Sequence, residues 1–214
     1  MYEMILDFKE KANIALEPIQ LHIKDCQEEV KQNPDNEMYT QYYVMSPMYE
    51  SEAIAKLQRV YGEPELEWLK LVCAHLIENT DDRVGNQNEL INLCRDGGNN
   101  SANKKLNVTE ADKALKSFID DGYLVKIKGS RKGFKIGLGS RFLMEMDGWL
   151  EKNFEDELSK CGVCDRITLI YTQCTNRKCE VRFHLPCVDK GKKDPKCNRC
   201  REPLKIEGVA NKRS

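Results

Sequence analysis

The chain has 214 residues, of which 40% are hydrophobic and 32% charged, with a net charge of -1. That length supports a buried core and one or two domains of the usual ~150-residue scale. No run of ~18 apolar residues predicts a membrane span, and acidic Glu3 and Asp7 near the start argue against a secretory leader.

The near-zero total conceals a split. Residues 161–214 carry 13 Lys and Arg against 6 Asp and Glu, while residues 1–160 carry 21 against 29. A basic C-terminal unit on an acidic body predicts a boundary near 158–160.

Residues 1–16 read as a helix with Ile5, Phe8, Ala12 and Ala15 on one stripe, ended by Pro18. Ile19, Leu21 and Ile23 alternate with polar residues as a strand does. Gln41 to Met45 reads as its hairpin partner across a long polar loop through Asn33, Pro34, Asp35 and Asn36. Ser46 to Val60 reads as helix, and Gly62-Glu63-Pro64 as a break.

Leu66, Leu69, Val72, Cys73 and Leu76 recur at helical spacing, and Asn79 to Gly85 reads as a turn. Asn88 to Cys94 is a second short helix, closed by Gly97-Gly98-Asn99-Asn100. Thr109 is the expected N-cap of a third, with Asp112 completing a weak capping box. Ala111, Leu115, Phe118 and Ile119 form its buried stripe, and Gly122 suits a left-handed C-cap. Tyr123, Val125 and Ile127 alternate as a strand, Gly129 to Gly133 turns, and Phe134, Ile136 and Leu138 alternate back. A last helix covers 140–157.

Three helices followed by a hairpin is the winged-helix order; any small α+β domain is the alternative. The earlier helix and hairpin resemble the end of another winged helix whose early helices are missing. Lys126, Lys128, Arg131, Lys132 and Lys135 on the wing, with Lys104 and Lys105 before the third helix, could meet phosphates. The third helix, however, carries Glu110, Asp112, Asp120 and Asp121, which suits a base-reading helix poorly. A protein-binding winged helix is the preferred reading, with weak, sequence-independent DNA contact as the runner-up and a merely solvated hairpin as the bland one.

Ten cysteines are many for a chain without secretory features, and seven of them lie between 161 and 200. Their order is Cys161-x2-Cys164-x9-Cys174-x4-Cys179-x4-His184-x2-Cys187-x9-Cys197-x2-Cys200. Eight Cys and His ligands match two closed tetrahedral zinc ions, structural because no position is left open. Interleaved pairing would give Cys161, Cys164, His184 and Cys187 one ion, and Cys174, Cys179, Cys197 and Cys200 the other. Forty residues bury too little apolar surface to fold alone, which favours this cross-brace over two sequential fingers. Cys26, Cys73 and Cys94 lack ligand partners and read as three buried thiols; His22 and His75 have no ligand company.

The ligand order is shared by RING-variant and PHD domains. The PHD pattern has a longer stretch and a Trp before the final pair, where this chain has Pro195. The segment Arg182-Phe183-His184-Leu185-Pro186-Cys187-Val188, the helix Phe142-Leu143-Met144-Glu145-Met146, Gln41-Tyr42-Tyr43-Val44 and the Cys161-Gly162-Val163-Cys164 knuckle closely resemble the non-SMC element one family of the SMC-five/six chromosome complex. The resemblance covers nearly the whole chain. It implies an α+β protein with two tandem winged helices, the first without its extra N-terminal helices here, and then a cross-brace RING-like domain. The expected division is 1–62 for the remnant of the first winged helix, 63–158 for the second with its C-terminal helix, 159–205 for the zinc domain and 206–214 for a basic tail.

The resemblance also implies a nuclear, chromosome-associated role in DNA repair by homologous recombination. It implies a MAGE-type partner and a kleisin-type subunit of the same complex, and ubiquitin ligase activity promoted by the MAGE-type partner. Val163 stands where ligase RINGs place an apolar contact for a ubiquitin-conjugating enzyme, and Arg201 where many place a cation after the last ligand. The final knuckle, Cys197-Asn198-Arg199-Cys200, departs from the ligase pattern in lacking its Pro. The competing class is a non-catalytic zinc module that docks a subunit or DNA.

Overall fold

A computed structural model describes residues 2–29, 39–49, 55, 57, 59–80, 82–96, 105–128, 133–176, 178–188 and 196–204. The expected turn at Gly97-Gly98-Asn99-Asn100, the loop through Asn33 to Asn36, Lys104, Arg131, Lys132, Pro195 and the basic tail lie outside the described residues.

Helix α1 (Tyr2–Leu16) runs through a 3-10 turn holding Pro18 into strand β1 (Leu21–Gln27). Strand β2 (Gln41–Pro47) pairs antiparallel with β1 from Leu21↔Pro47 to Gln27↔Gln41. The helix is pinned side-on to the hairpin: Asn13 Oδ1 accepts from Ile23 N–H at 2.6 Å, and Lys9 pairs with Asp25. The expected apolar stripe is not its buried face. Phe8 is 69% exposed and Ile5 is exposed too, because the contact is made by polar Lys9 and Asn13. Ile19 is likewise exposed, in the turn before the strand. Ser46 and Pro47 belong to β2, so the helix read from Ser46 begins later; Val60 is helical.

Helix α2 (Glu63–Glu78) corrects the expected break: Gly62 caps it and Pro64 sits in its first turn, where a missing N–H costs nothing. Glu65 carboxylate accepts from Gly62 N–H at 2.7 Å. Strand β3 (Val84–Asn86) takes the end of the expected Asn79–Gly85 turn; it is too short to show a period-2 pattern and forms only by pairing with β5. Helix α3 (Gln87–Asp96) and helix α4 (Val108–Asp120) follow. Asn107, not Thr109, caps α4. Its Oδ1 accepts from Glu110 N–H and Glu110 Oε2 accepts from Asn107 N–H, both at 2.9 Å. Gly122 follows with φ +77°, the left-handed geometry that a side chain disfavours.

Strands β4 (Leu124–Lys128) and β5 (Phe134–Leu138) complete a sheet of order β3-β5-β4. This is a winged-helix domain, three helices against a small sheet. Phe118 is fully buried at its centre, 4.2 Å from the Tyr61 ring and 6.3 Å from those of Trp68 and Tyr123. The final helix is two: α5 (Ser140–Glu145) and α6 (Asp147–Asn153), broken at Met146, which leaves helical geometry at φ -113° and ψ 17°. Buried Glu145 is held by Arg141 Nε and the Tyr123 hydroxyl, each at 3.0 Å. Lys24 Nζ crosses from β1 to the α5–α6 break, donating to Met144 O at 2.8 Å and Asp147 at 2.7 Å.

Beyond α6 the elements are very short: strands β6 (Ser159–Lys160), β7 (Ile167–Thr168), β8 (Thr172–Gln173) and β9 (Arg182–Phe183), and helix α7 (Leu185–Val188). Ile167, Leu169 and Ile170 join the winged-helix core. The remaining buried cluster is Cys161, Cys174, Cys179, Phe183, Val188, Cys197 and Leu204, more than half of it thiols. Among the described residues no helix is long and apolar enough to cross a membrane.

Candidate metal centre

Two hairpin-like knuckles carry the first and last ligand pairs, and they share one backbone design. In the first, Asp165 N–H donates to Cys161 O at 2.9 Å and Cys161 N–H to Arg166 O at 2.8 Å. In the second, Arg201 N–H donates to Cys197 O at 3.0 Å and Cys197 N–H to Glu202 O at 2.9 Å. The residue after the second cysteine is left-handed in both, Asp165 at φ 57° and Arg201 at φ 65°. Gly162 is required by space: a Cβ there would fall 2.5 Å from Val181 Cγ1 and 2.9 Å from Phe183 Cε1. Asn198 Nδ2 donates to Gly162 O and so joins the tips of the two knuckles.

The ladder between them distributes the inner ligands. Strand β8 runs directly into Cys174 and β9 directly into His184, while α7 carries Cys187. One two-stranded pairing therefore delivers a ligand to each of two sites. The side-chain ligand atoms of Cys161, Cys164, His184 and Cys187 lie within 4.8 Å of one another, and so do those of Cys174, Cys179, Cys197 and Cys200. His184 Nδ1 is 3.3 Å from Cys164 Sγ and 3.8 Å from Cys187 Sγ. Cys174 and Cys200 sulfurs are 3.4 Å apart, and those of Cys179 and Cys197 3.7 Å. A tetrahedral ion with ~2.3 Å bonds to sulfur spaces its ligands ~3.8 Å apart, so both groups have the size of a coordination shell. Each group can hold one metal ion.

The thiol of the first cysteine in each knuckle is lowered from the usual thiol range. Cys161 is held far below the usual thiol range by hydrogen bonds from Cys164 and Cys187, with help from His184. Cys197 is raised by desolvation, but backbone N–H groups of Cys200 and Arg199 outweigh that and bring it to about 7. Cys174, by contrast, is pushed by burial to about 12.

Val163 stands at the tip of the first knuckle, 52% exposed, and Arg201 is exposed directly after the last ligand. Cys73 and Cys94 are buried in the winged-helix core. Cys26 is only half-buried, with its thiol pushed by burial to about 11. His75 faces Glu89 at 2.8 Å. Sequence reasoning missed Asn198 as the tie between knuckles and Glu29 as a neighbour of the metal centre. Glu29 lies 140 residues from the Leu169 N–H that it accepts, and no local pattern could reveal that.

The chain as a whole is similar to known proteins. Over 203 residues the chain is 23% identical to the non-structural maintenance of chromosomes element 1 homolog of Bos taurus, covering 94% of this chain and 69% of that protein. It is 25% identical to the Xenopus tropicalis homolog over 205 residues, 94% and 68% of the two chains. The match to the Pongo abelii homolog is 24% over 153 residues and spans only 53% of that protein's length, with 70% of this chain. Among solved structures, a chain of an Nse1-Nse3-Nse4 complex superposes with a TM-score of 0.67 at 25% identity, covering 97% of this chain and 82% of that one. The family model described as the Nse1 non-SMC component of SMC5-6 complex matches residues 2–146, from α1 through α5, and the chain belongs to that family.

Proposed function

We propose that the chain is a RING-like ubiquitin ligase subunit of the SMC5-6 complex, with one zinc ion in each ligand group. Zinc suits two closed, thiolate-rich tetrahedral shells with no open position. A RING does no covalent chemistry. It holds a charged ubiquitin-conjugating enzyme so that the thioester meets a lysine, and its gain is orientation. The observation that carries this reading is the Asn198–Gly162 tie. It sets the two knuckles side by side, with exposed Val163 on one and exposed Arg201 at the end of the other. Val163 supplies an apolar contact to the conjugating enzyme, and Arg201 a cation to the enzyme–ubiquitin junction.

The helical and hairpin region serves assembly in this reading. Phe8, Ile14 and Ile19, with Met45 and Tyr49 of the hairpin, stand exposed. Such exposed apolar side chains suit contact with a MAGE-type subunit like the Nse3 named in the solved complex, with a kleisin-type Nse4 completing the set. Such a complex works on chromosomes, in the nucleus, in recombinational DNA repair. Lys126 and Lys128 on β4 leave room for weak DNA contact.

A second reading, a non-catalytic docking module, is favoured by the absence of Pro from Cys197-Asn198-Arg199-Cys200. Val163→Ala and Arg201→Ala in the reconstituted complex separate the two. Ubiquitin transfer falls at least tenfold in a ligase, with both zinc ions retained. Unchanged transfer in both variants overturns the roles given to these residues. Cys187→Ala should disrupt the zinc domain under either reading and decides nothing.

A further inference from the structure

Glu29, just past β1, reaches out of the first hairpin into the metal centre. Its Oε1 lies 3.0 Å from His184 Nε2 and accepts from Leu169 N–H at 3.0 Å, while its Oε2 accepts from Ile170 N–H at 3.1 Å. On the opposite edge of the same imidazole, Nδ1 faces the sulfurs of Cys164 and Cys187. A neutral imidazole that ligates a metal through Nδ1 keeps its proton on Nε2. That proton points at Glu29 and at Ile167 O, which is also 3.0 Å away. Both partners of this hydrogen bond are about nine-tenths buried, with side chains 10% and 11% exposed, so water competes little for the contact.

We propose that Glu29 is a positioning residue for the Cys161, Cys164, His184 and Cys187 metal site, and that it couples metal loading there to seating of the first hairpin. The proposal rests on the reading of that group as a metal site. The carboxylate fixes the ring's tautomer and angle and makes Nδ1 a better donor to the ion. The same carboxylate is the hairpin's grip on the Leu169 and Ile170 backbone. Metal loading and hairpin seating therefore strengthen each other by one common factor, as linkage requires. The second group is all thiol and has no imidazole to orient, so it serves as an internal control.

The test uses the full chain as wild type, Glu29→Gln and Glu29→Ala, loaded with zinc or with cadmium-113. Ion counting comes first: a wild-type chain holding fewer than two ions overturns the metal reading itself, separately from the role of Glu29. With two ions present, Glu29→Ala should lose the ion bound by His184 to a chelator about 10-fold more readily than wild type. The effect is at the low end of such losses because Ile167 O still accepts the proton. Glu29→Gln, which keeps one acceptor oxygen, should fall between, and it carries the test if the alanine variant fails to fold. The all-thiol ion should leave at the wild-type rate. Only the cadmium resonance of the His184 site should move, and filling that site should slow amide exchange in β1 and β2 in wild type more than in either variant. Wild-type retention and an unmoved resonance in both variants overturn the proposal. So does equal loss of both ions, which marks a general destabilisation.

Discussion

The winged helix and the cysteine-rich module solve the problem of holding a chain together in opposite ways. Around Phe118 the winged helix buries Trp68, Val72, Leu76, Leu90, Leu115 and Leu124, so apolar area removed from water does the work. Among the described residues the module's own cluster buries just three apolar side chains beside its cysteines, Phe183, Val188 and Leu204, with Val181 partly buried against them. Its strands are two residues long, far below what a free-standing sheet needs. The first region has a fold that can carry function; the second has a fold only to the extent that its ligands are joined.

Removing the metal is the largest way to press that difference. A strong chelator should abolish amide protection through residues 159–204 while α2, α3 and α4 keep theirs, since structural zinc contributes ~10–16 kcal/mol to the fold it organises. Hydrogen exchange read by mass spectrometry checks this. Simultaneous loss in both regions would instead make them one cooperative unit, joined through Ile167, Leu169 and Ile170. Phe118→Ala should act the other way round, costing about 3–5 kcal/mol in denaturant melts of the winged helix while the chain still binds both ions.

Smaller changes sharpen the comparison. Gly162→Ala forces a methyl group against Val181 and Phe183. It should cost about 1–3 kcal/mol, seen as weaker metal retention with an unchanged winged-helix melt. Asn107→Ala removes the α4 cap and should lower the winged-helix melt by about 1 kcal/mol, leaving metal affinity untouched.

Residues whose roles are written in local spacing were readable in advance. The helical stripes through Val72 and Leu115, the positions of β4 and β5 and the left-handed Gly122 all depend on neighbours within a few positions, although Phe134 of β5 is exposed. So does the rhythm of the eight Cys and His residues. What escaped was decided by partners far away in sequence. Strand β3 exists because β5 offers it an edge, Met146 breaks a helix while its side chain is buried in a shared core, and α1 lies on the hairpin through Asn13 rather than its apolar stripe. Ligand spacing said that this chain would gather thiols around metal. Only folding in three dimensions could put Glu29 beside His184 and Asn198 beside Gly162, because a carboxylate or an amide carries no sign in sequence of the distant atom it will meet.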